Sequence, residues 1–267
     1  MIFVFCIFQS ISCHADITTG LVGWWKLDEA ASGTCSGTTA DSSGQGNTGT
    51  CQNSPTYVSG KIGPGELSFN GTNQYVSIGT SNWNVTNAIT VSAWMYATAY
   101  PSVPNNATIT SKDSNSSGFG PPNYGSVWDL CLDNAQEGFF YFYNGTTTYA
   151  VSTSVLSLNT WYHLAAVYDG NQLSIYVNGV LAQSISASGN LVTSTYRSYI
   201  AERRIDSGNS GQEYFPGNID DVRIYDRALS SSDVAELYAY TGTASSSKPP
   251  VLTVTGGLTV TGGLAVQ

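Results

Sequence analysis

Between Val22 and Asp226 the chain reads as short runs rich in Val, Ile, Tyr, Trp and Thr, broken by clusters of Gly, Asn, Asp and Pro. That texture predicts an antiparallel all-β sandwich or barrel, and there is no alternation of strand and helix patterns to suggest a parallel sheet. The clearest stretch is WYHLAAVYDGNQLSIYVNGVLAQSI, which predicts three strands joined at Asp169-Gly170 and Asn178-Gly179. Both dipeptides favour the positive backbone angles of tight hairpin turns. Further strands are predicted at VGWWKLD, ELSFN, QYVSI, ITVSAWMYA, TITSK, VWDLCL, GFFYFY and NIDDVRIY. Their alternating faces imply two stacked sheets. One helix is predicted, in ALSSSDVAELYAY: Ser230 caps it, Asp233 suits its positive end, and Val234, Leu237 and Tyr238 share one face. After Tyr240 the sequence TGTASSSKPP reads as a linker over residues 241–250. Residues 251–267 then carry LTVTGG twice and LAVQ, a six-residue β-like repeat too short to bury a core of its own. Self-association through this tail is the expectation, because unpaired strand edges seek other chains.

Composition narrows the function classes. The 267 residues hold 9 basic and 18 acidic side chains, a net charge of -9 that disfavours a phosphate backbone as partner. Only 10% of residues are charged while 41% are hydrophobic and 12% aromatic, so the chain has the material for a core. No apolar run reaches the 18 or so residues of a membrane-spanning helix. Residues 1–15, MIFVFCIFQSISCHA, are apolar, lack acidic residues and end in Ala15, the pattern of a secretory signal. Acylation of Cys13 is the competing reading of this segment. Cleavage after Ala15 leaves Cys35, Cys51 and Cys131, an odd number in an oxidising compartment. Cys35 and Cys51 bracket a Gly/Ser/Thr-rich loop and are the favoured pair; Cys131 lies in a strand and reads as a small buried hydrophobe. Cys-x-x-Cys and His-x-x-x-His spacings are absent, which leaves no zinc motif.

The ordered blocks GLVGWWKLDE, ADSSGQGNTGT, LSFNGTNQYVSI, ITVSAWMY, WYHLAAVYDGNQLSIYVNGVL and GNIDDVRIYDRALSSSDVAELY resemble the LamG-like jellyroll of the concanavalin A-like lectin and glucanase superfamily. The resemblance covers about residues 20–240. It implies a two-sheet antiparallel jellyroll spanning 16–240 with one short C-terminal helix. Such modules are secreted, often hold calcium near one rim, and bind glycans or act as spacers beside enzymes.

A calcium ion wants six to eight oxygens. The loop ADSSGQGNTGT offers Asp41, Asn47 and free carbonyls, and the family pattern brings it near Asp220 of the last strand and Glu29. Asp220 has the parity of Val222 and Ile224, which places it on the apolar side. The competing reading gives Asp41 an Asx turn and makes Asp220 a cap for backbone amides or a partner of Arg223. For sugars, which stack on aromatic rings and bond to planar polar groups, the loops 112–126 and 202–215 offer Tyr124, Trp128, Arg203 and Tyr214, with Tyr100 from a Tyr-Pro loop. Packing is the competing reading for each. Trp24, Trp25, Trp94 and Trp161 are expected in the core.

Catalysis is not expected. Retaining glucanases on this architecture alternate two glutamates and an aspartate on one strand, and no such triplet occurs. His163 sits among core positions of a strand, and a Gly-x-Ser-x-Gly elbow is missing. The sequence therefore predicts a secreted, non-catalytic, lectin-like module whose partner is a glycan or glycosylated surface. The alternative is a structural or adhesive domain on a multimeric fibre or surface protein.

Overall fold

The computed structural model of the protein describes residues 16–79, 85–102, 105–114, 126–204 and 212–242. The expected signal (1–15), Tyr124, the linker beyond Gly242 and the repeat tail lie outside these residues.

Strands and the helix are numbered in chain order. The first sheet runs β15 (Val180–Ser186), β14 (Gln172–Val177), β13 (Trp161–Tyr168), β8 (Ile89–Ala97), β19 (Pro216–Tyr225), β6 (Glu66–Asn70), β5 (Thr56–Val58) and β2 (Gly33–Thr34), with β1 (Leu21–Trp25) also paired to β19. The second runs β12 (Thr148–Val155), β11 (Glu137–Tyr143), β10 (Ser126–Leu132), β9 (Ala107–Asp113), β16 (Ser198–Ile200), β7 (Tyr75–Ile78), β4 (Gly49–Gln52) and β3 (Thr38–Thr39). A small hairpin, β17 (Glu202–Arg204) and β18 (Gln212–Tyr214), forms a separate two-stranded ladder. All pairings are antiparallel, as the period-2 alternation predicts. Strands of six to nine residues with strong alternation fall where expected. β12, whose TYAVSTSV mixes small polar residues into the pattern, is an addition.

The meander turns differ from each other. Asn178 and Gly179, at φ 51° and 78°, make the two-residue turn between β14 and β15. The β13–β14 connection takes Asn171 as well, and Asp169 Oδ1 accepts from the amides of Asn171 and Gln172.

The main core lies between the sheets. Trp25, Leu67, Val91, Ala93 and Met95 from the first sheet meet Val76, Leu130, Phe140, Phe142 and Ile200 from the second. Helix α1 (Ser231–Ala239) covers the opposite, outer face of the first sheet, with Val234 and Leu237 packed on Leu21, Ala165, Val167, Tyr176 and Tyr225. Ser230 and Asp233 form a complete capping box, while Tyr238 stays 41% exposed at the helix rim rather than turning inward with Val234. Beside the helix, Trp94, Ile62 and Tyr240 pack with Trp24 and Trp161. Of the four expected core tryptophans, then, only Trp25 lies between the sheets; the other three belong to this outer layer. The Arg223 guanidinium is sandwiched there between the rings of Trp24 and Tyr240, 4.3 Å from each centroid, and pairs with Asp221 at 3.1 Å.

A bulge in β19 corrects the expected orientation of Asp220. Asp221 takes φ 50° and the register with β8 slips between Asp220 and Arg223. One extra residue reverses parity. Asp220, opposite Trp94, therefore shares the outer face with Arg223, while Ile219, Val222 and Ile224 point into the core.

Cys35 and Cys51 form the expected disulfide, with Cα atoms 5.9 Å apart. Cys131 is free and buried.

Candidate functional site

The outer face of the second sheet gathers most of the charged chemistry. Along β10, Trp128, Leu130 and Leu132 point into the core, so Asp129 and Cys131 point outward; along β11, Phe140 and Phe142 point in, and Phe139 and Tyr141 out. The β17–β18 hairpin lies against this face and pairs Glu202 with Tyr214 and Arg203 with Glu213. Arg203 is the hub. It donates from Nη1 to the Tyr141 hydroxyl at 2.7 Å, meets Glu213 Oε2 from Nη2 at 2.7 Å, and lies 3.6 Å from Asp129 Oδ2 through Nε. Asp129 also accepts from the Thr108 hydroxyl at 3.4 Å.

A second, shallower group adjoins it. The Arg204 Nε lies 3.4 Å from Glu202 Oε1, and its Nη2 donates to the Tyr75 hydroxyl at 3.3 Å. Its guanidinium lies over the Tyr199 ring at 5.2 Å. The Tyr75 ring centre is 5.8 Å from that of Tyr199 and 6.3 Å from that of Tyr214. Tyr75, Tyr214 and Arg204 are partly exposed, whereas Asp129, Glu202, Arg203 and Glu213 are buried. The result is a floor of buried carboxyls around the Arg203 guanidinium, under a partly open aromatic and guanidinium surface.

Burial dominates the electrostatics of the floor. It pushes the Asp113 carboxyl up to about 8, with Glu202 adding repulsion and Arg204 and Arg203 opposing. Asp129 rises to about 7 despite Arg203, and Glu202 to about 7 despite Arg204. Burial likewise raises the Cys131 thiol, and the neighbouring Asp129 reinforces it, so this sulfur is no nucleophile. His163 belongs elsewhere: buried on the outer face of the first sheet, it is pushed down to about 3 by desolvation and then by Arg223.

The structure thus brings Arg203 and Tyr214 together on one hairpin, and adds Tyr75, Tyr199, Glu202 and Arg204. Trp128 requires correction as a sugar contact, since it is 3% exposed and stacks on Phe140 within the core. Arg203 is likewise buried and acts beneath the surface. Tyr100 packs against the core and donates its hydroxyl to the Leu156 carbonyl. Tyr124 lies outside the described residues.

The expected calcium ligands bond to the protein itself. Asp41 Oδ1 accepts from the amides of Trp24 and Ser43, and Oδ2 from that of Asn47. Asn47 donates to the Val22 carbonyl. Glu29 accepts from the Ala40 amide and the Tyr57 hydroxyl. Asp220 accepts from the Ile62 amide, on the outer face of the first sheet. Among the described residues no three His, Cys, Asp or Glu side chains converge as metal ligands. Asp41 thus closes its own loop through Ser43 and Asn47, while the other bonds tie Asp41 and Asn47 to β1, Glu29 to Ala40 and β5, and Asp220 to Ile62.

The sequence from Asn70 to Ala235 matches the family profile described as concanavalin A-like lectin/glucanases superfamily. The chain belongs to that superfamily. No curated protein matches the chain. Among solved structures, similar folds recur at low identity. Domain 4 of AbnA, a GH43 extracellular arabinanase from Geobacillus stearothermophilus in complex with arabinotriose, is 21% identical with a TM-score of 0.61, over 82% of this chain and 98% of that one. The binding domain of Paraclostridial Mosquitocidal Protein 1 is 16% identical with a TM-score of 0.63, over 84% of this chain and 52% of that one. A mutant Trypanosoma rangeli sialidase displaying trans-sialidase activity is 20% identical with a TM-score of 0.58, over 85% of this chain and 34% of that one. This chain thus spans about half of the mosquitocidal binding domain and a third of the sialidase. At these identities the likeness establishes the shared fold.

Proposed function

We propose that the chain is a secreted, non-catalytic carbohydrate-binding module whose sugar lies on the outer face of the eight-stranded sheet, over Tyr75, Tyr214 and Arg204. The observation that carries this reading is the arrangement of those three partly exposed side chains above the buried Arg203 network. Aromatic rings offer faces for sugar C–H groups, and the guanidinium offers a fixed fork of donors for hydroxyls. Tyr199 beneath and Glu202 beside Arg204 hold it in place, which lowers the ordering cost of binding. A neighbouring fold seen with arabinotriose supports the same reading. The disulfide and the signal-like first fifteen residues support secretion.

The buried position of the carboxylates supports a binding role over a catalytic one. A general acid or nucleophile has to touch the glycosidic bond, yet Asp129 and Glu202 are fully buried and Glu213 is tied to Arg203. The test is a glycan array followed by titration calorimetry of any hit. Tyr214→Ala and Arg204→Ala should each weaken binding about tenfold or more. A hit unaffected by both substitutions would move the site off this face. Release of reducing ends from a bound glycan, abolished by one acidic substitution, would overturn the non-catalytic reading.

A further inference from the structure

On the opposite side of the sandwich, four residues form a single row across four strands of the first sheet. Ser68 of β6 stands opposite Asn218 of β19, Asn218 opposite Tyr96 of β8, and Tyr96 opposite Trp161 of β13. All four are partly exposed. With strands about 4.8 Å apart, the row runs roughly 14 Å over the surface. The rows on either side differ. Leu67, Ile219 and Met95 turn into the main core, and the next outer row, Asp220, Trp94 and His163, is buried. The Ser68–Asn218–Tyr96–Trp161 row is therefore a ledge at the border of the covered part of this face.

We infer that this ledge is a second saccharide-binding strip, for a neutral oligosaccharide laid across the strands. One half is aromatic. The rings of Tyr96 and Trp161 are 5.5 Å apart at 47°, a shallow cup for the C–H faces of a sugar. Trp161 is braced from below by Trp94 at 6.4 Å edge-on, and Trp94 in turn by Tyr238 at 5.5 Å, so the cup is preorganised. The other half is polar. Asn218 Nδ2 donates to Glu66 Oε1 at 2.7 Å, and Glu66 Oε2 accepts from the Lys61 amide, which pins the Asn218 side chain. Its second amide hydrogen and its carbonyl oxygen have no partner among the described residues, and Ser68 is its cross-strand neighbour. An amide with both a donor and an acceptor to spare matches sugar hydroxyls, which are both. Nearby charge is already engaged: Glu66 is buried under Asn218, and the Lys61 ammonium lies 4.7 Å over the Trp94 ring. A neutral ligand suits such a surface. Position 217 has to be glycine, since at its φ of 143° a Cβ would collide with the Tyr96 carbonyl.

This site goes beyond the proposed function and does not depend on it, as the two lie on different sheets. The test uses the full chain with arabinotriose and cellohexaose as probes, following tryptophan emission during titration. It is run on wild type and on an Arg204→Ala/Tyr214→Ala background that removes the other face. A saturable emission change is expected in both, with affinity reduced about tenfold by Tyr96→Ala and by Asn218→Ala. Asn218→Ala touches no aromatic contact and decides the matter if Tyr96→Ala fails to fold. Absence of saturable change with both probes would overturn the strip. So would binding indifferent to both substitutions, in which case Tyr96 and Trp161 serve only to shield Trp94. Loss of binding in the Arg204→Ala/Tyr214→Ala background alone would place all binding on the other sheet and sink this strip while sparing the proposed function.

Discussion

Arg203 ties together three groups at the second sheet's outer face: the Tyr141 hydroxyl, Glu213 and Asp129. Removing it leaves two buried carboxyls without their countercharge. Arg203→Ala is therefore expected to destabilise the fold by about 3–5 kcal/mol in urea denaturation, the range for breaking a buried pair by deleting one partner. Arg203→Lys should recover little of this, because one ammonium cannot reproduce a planar fork aimed at three partners. A loss under about 1 kcal/mol for the alanine variant would mean that water reaches Asp129 and Glu213. At this scale the sequence was partly legible. Trp128 to Leu132 alternate, and the parity that puts Leu130 and Leu132 in the core also puts Trp128 there, so its exclusion from a sugar site was readable. The orientation of Asp220 was not, because the extra residue at Asp221 leaves no mark in composition.

Elements with strong local signals were the ones the sequence placed well. The clearest is α1, where Ser230 accepts from the Asp233 amide and Asp233 accepts from the Ser230 amide. Ser230→Ala should cost about 1 kcal/mol, read as a lowered melting midpoint, while Ser231→Ala, one residue inside and exposed, should cost much less. Equal effects would show that the cap contributes nothing beyond propensity. The hairpin at Asn178-Gly179 was legible for a similar reason: two positive φ angles require residues that tolerate them. The strands that build the candidate site were hidden. β16, β17 and β18 have three residues each, and Ala201 at φ 65° breaks the run between the first two. Three residues give too little alternation for a period to register. That is why Tyr199, Glu202 and Arg204 carry no period in the sequence, while Arg203 and Tyr214, which stand out by their chemistry alone, lie at the surface proposed for sugar.

Over the whole molecule, the engagement of Asp41, Asn47 and Glu29 by protein partners on the 41–47 loop, β1 and β5 predicts that excess chelator leaves the melting curve unchanged. A drop of several degrees would show that a bound metal contributes to the fold. The pH dependence tests the buried charges together. Asp113 and Asp220 are pushed up to about 8, and Asp129, Glu202 and Glu66 to about 7, in every case chiefly by desolvation. These acids lose their protons near pH 4 in the unfolded chain but keep them several pH units longer in the fold. Between about pH 4 and 8 the native state binds more protons, so stability falls as pH rises through that window. His163 acts in the opposite sense. Pushed down to about 3, it stays neutral in the fold while the unfolded side chain protonates below about 6.5, so its contribution is lost on acidification. Five carboxyls against one imidazole should leave the fold more stable at pH 5.5 than at pH 8, measured by urea denaturation at constant ionic strength. Glu66→Gln and Asp113→Asn should each flatten that slope, because an amide occupies the same space without a proton to lose. Stability rising steadily from pH 5.5 to 8 would mean that these carboxyls are ionised in the native state, with Arg203 and Arg204 outweighing the cost of burial.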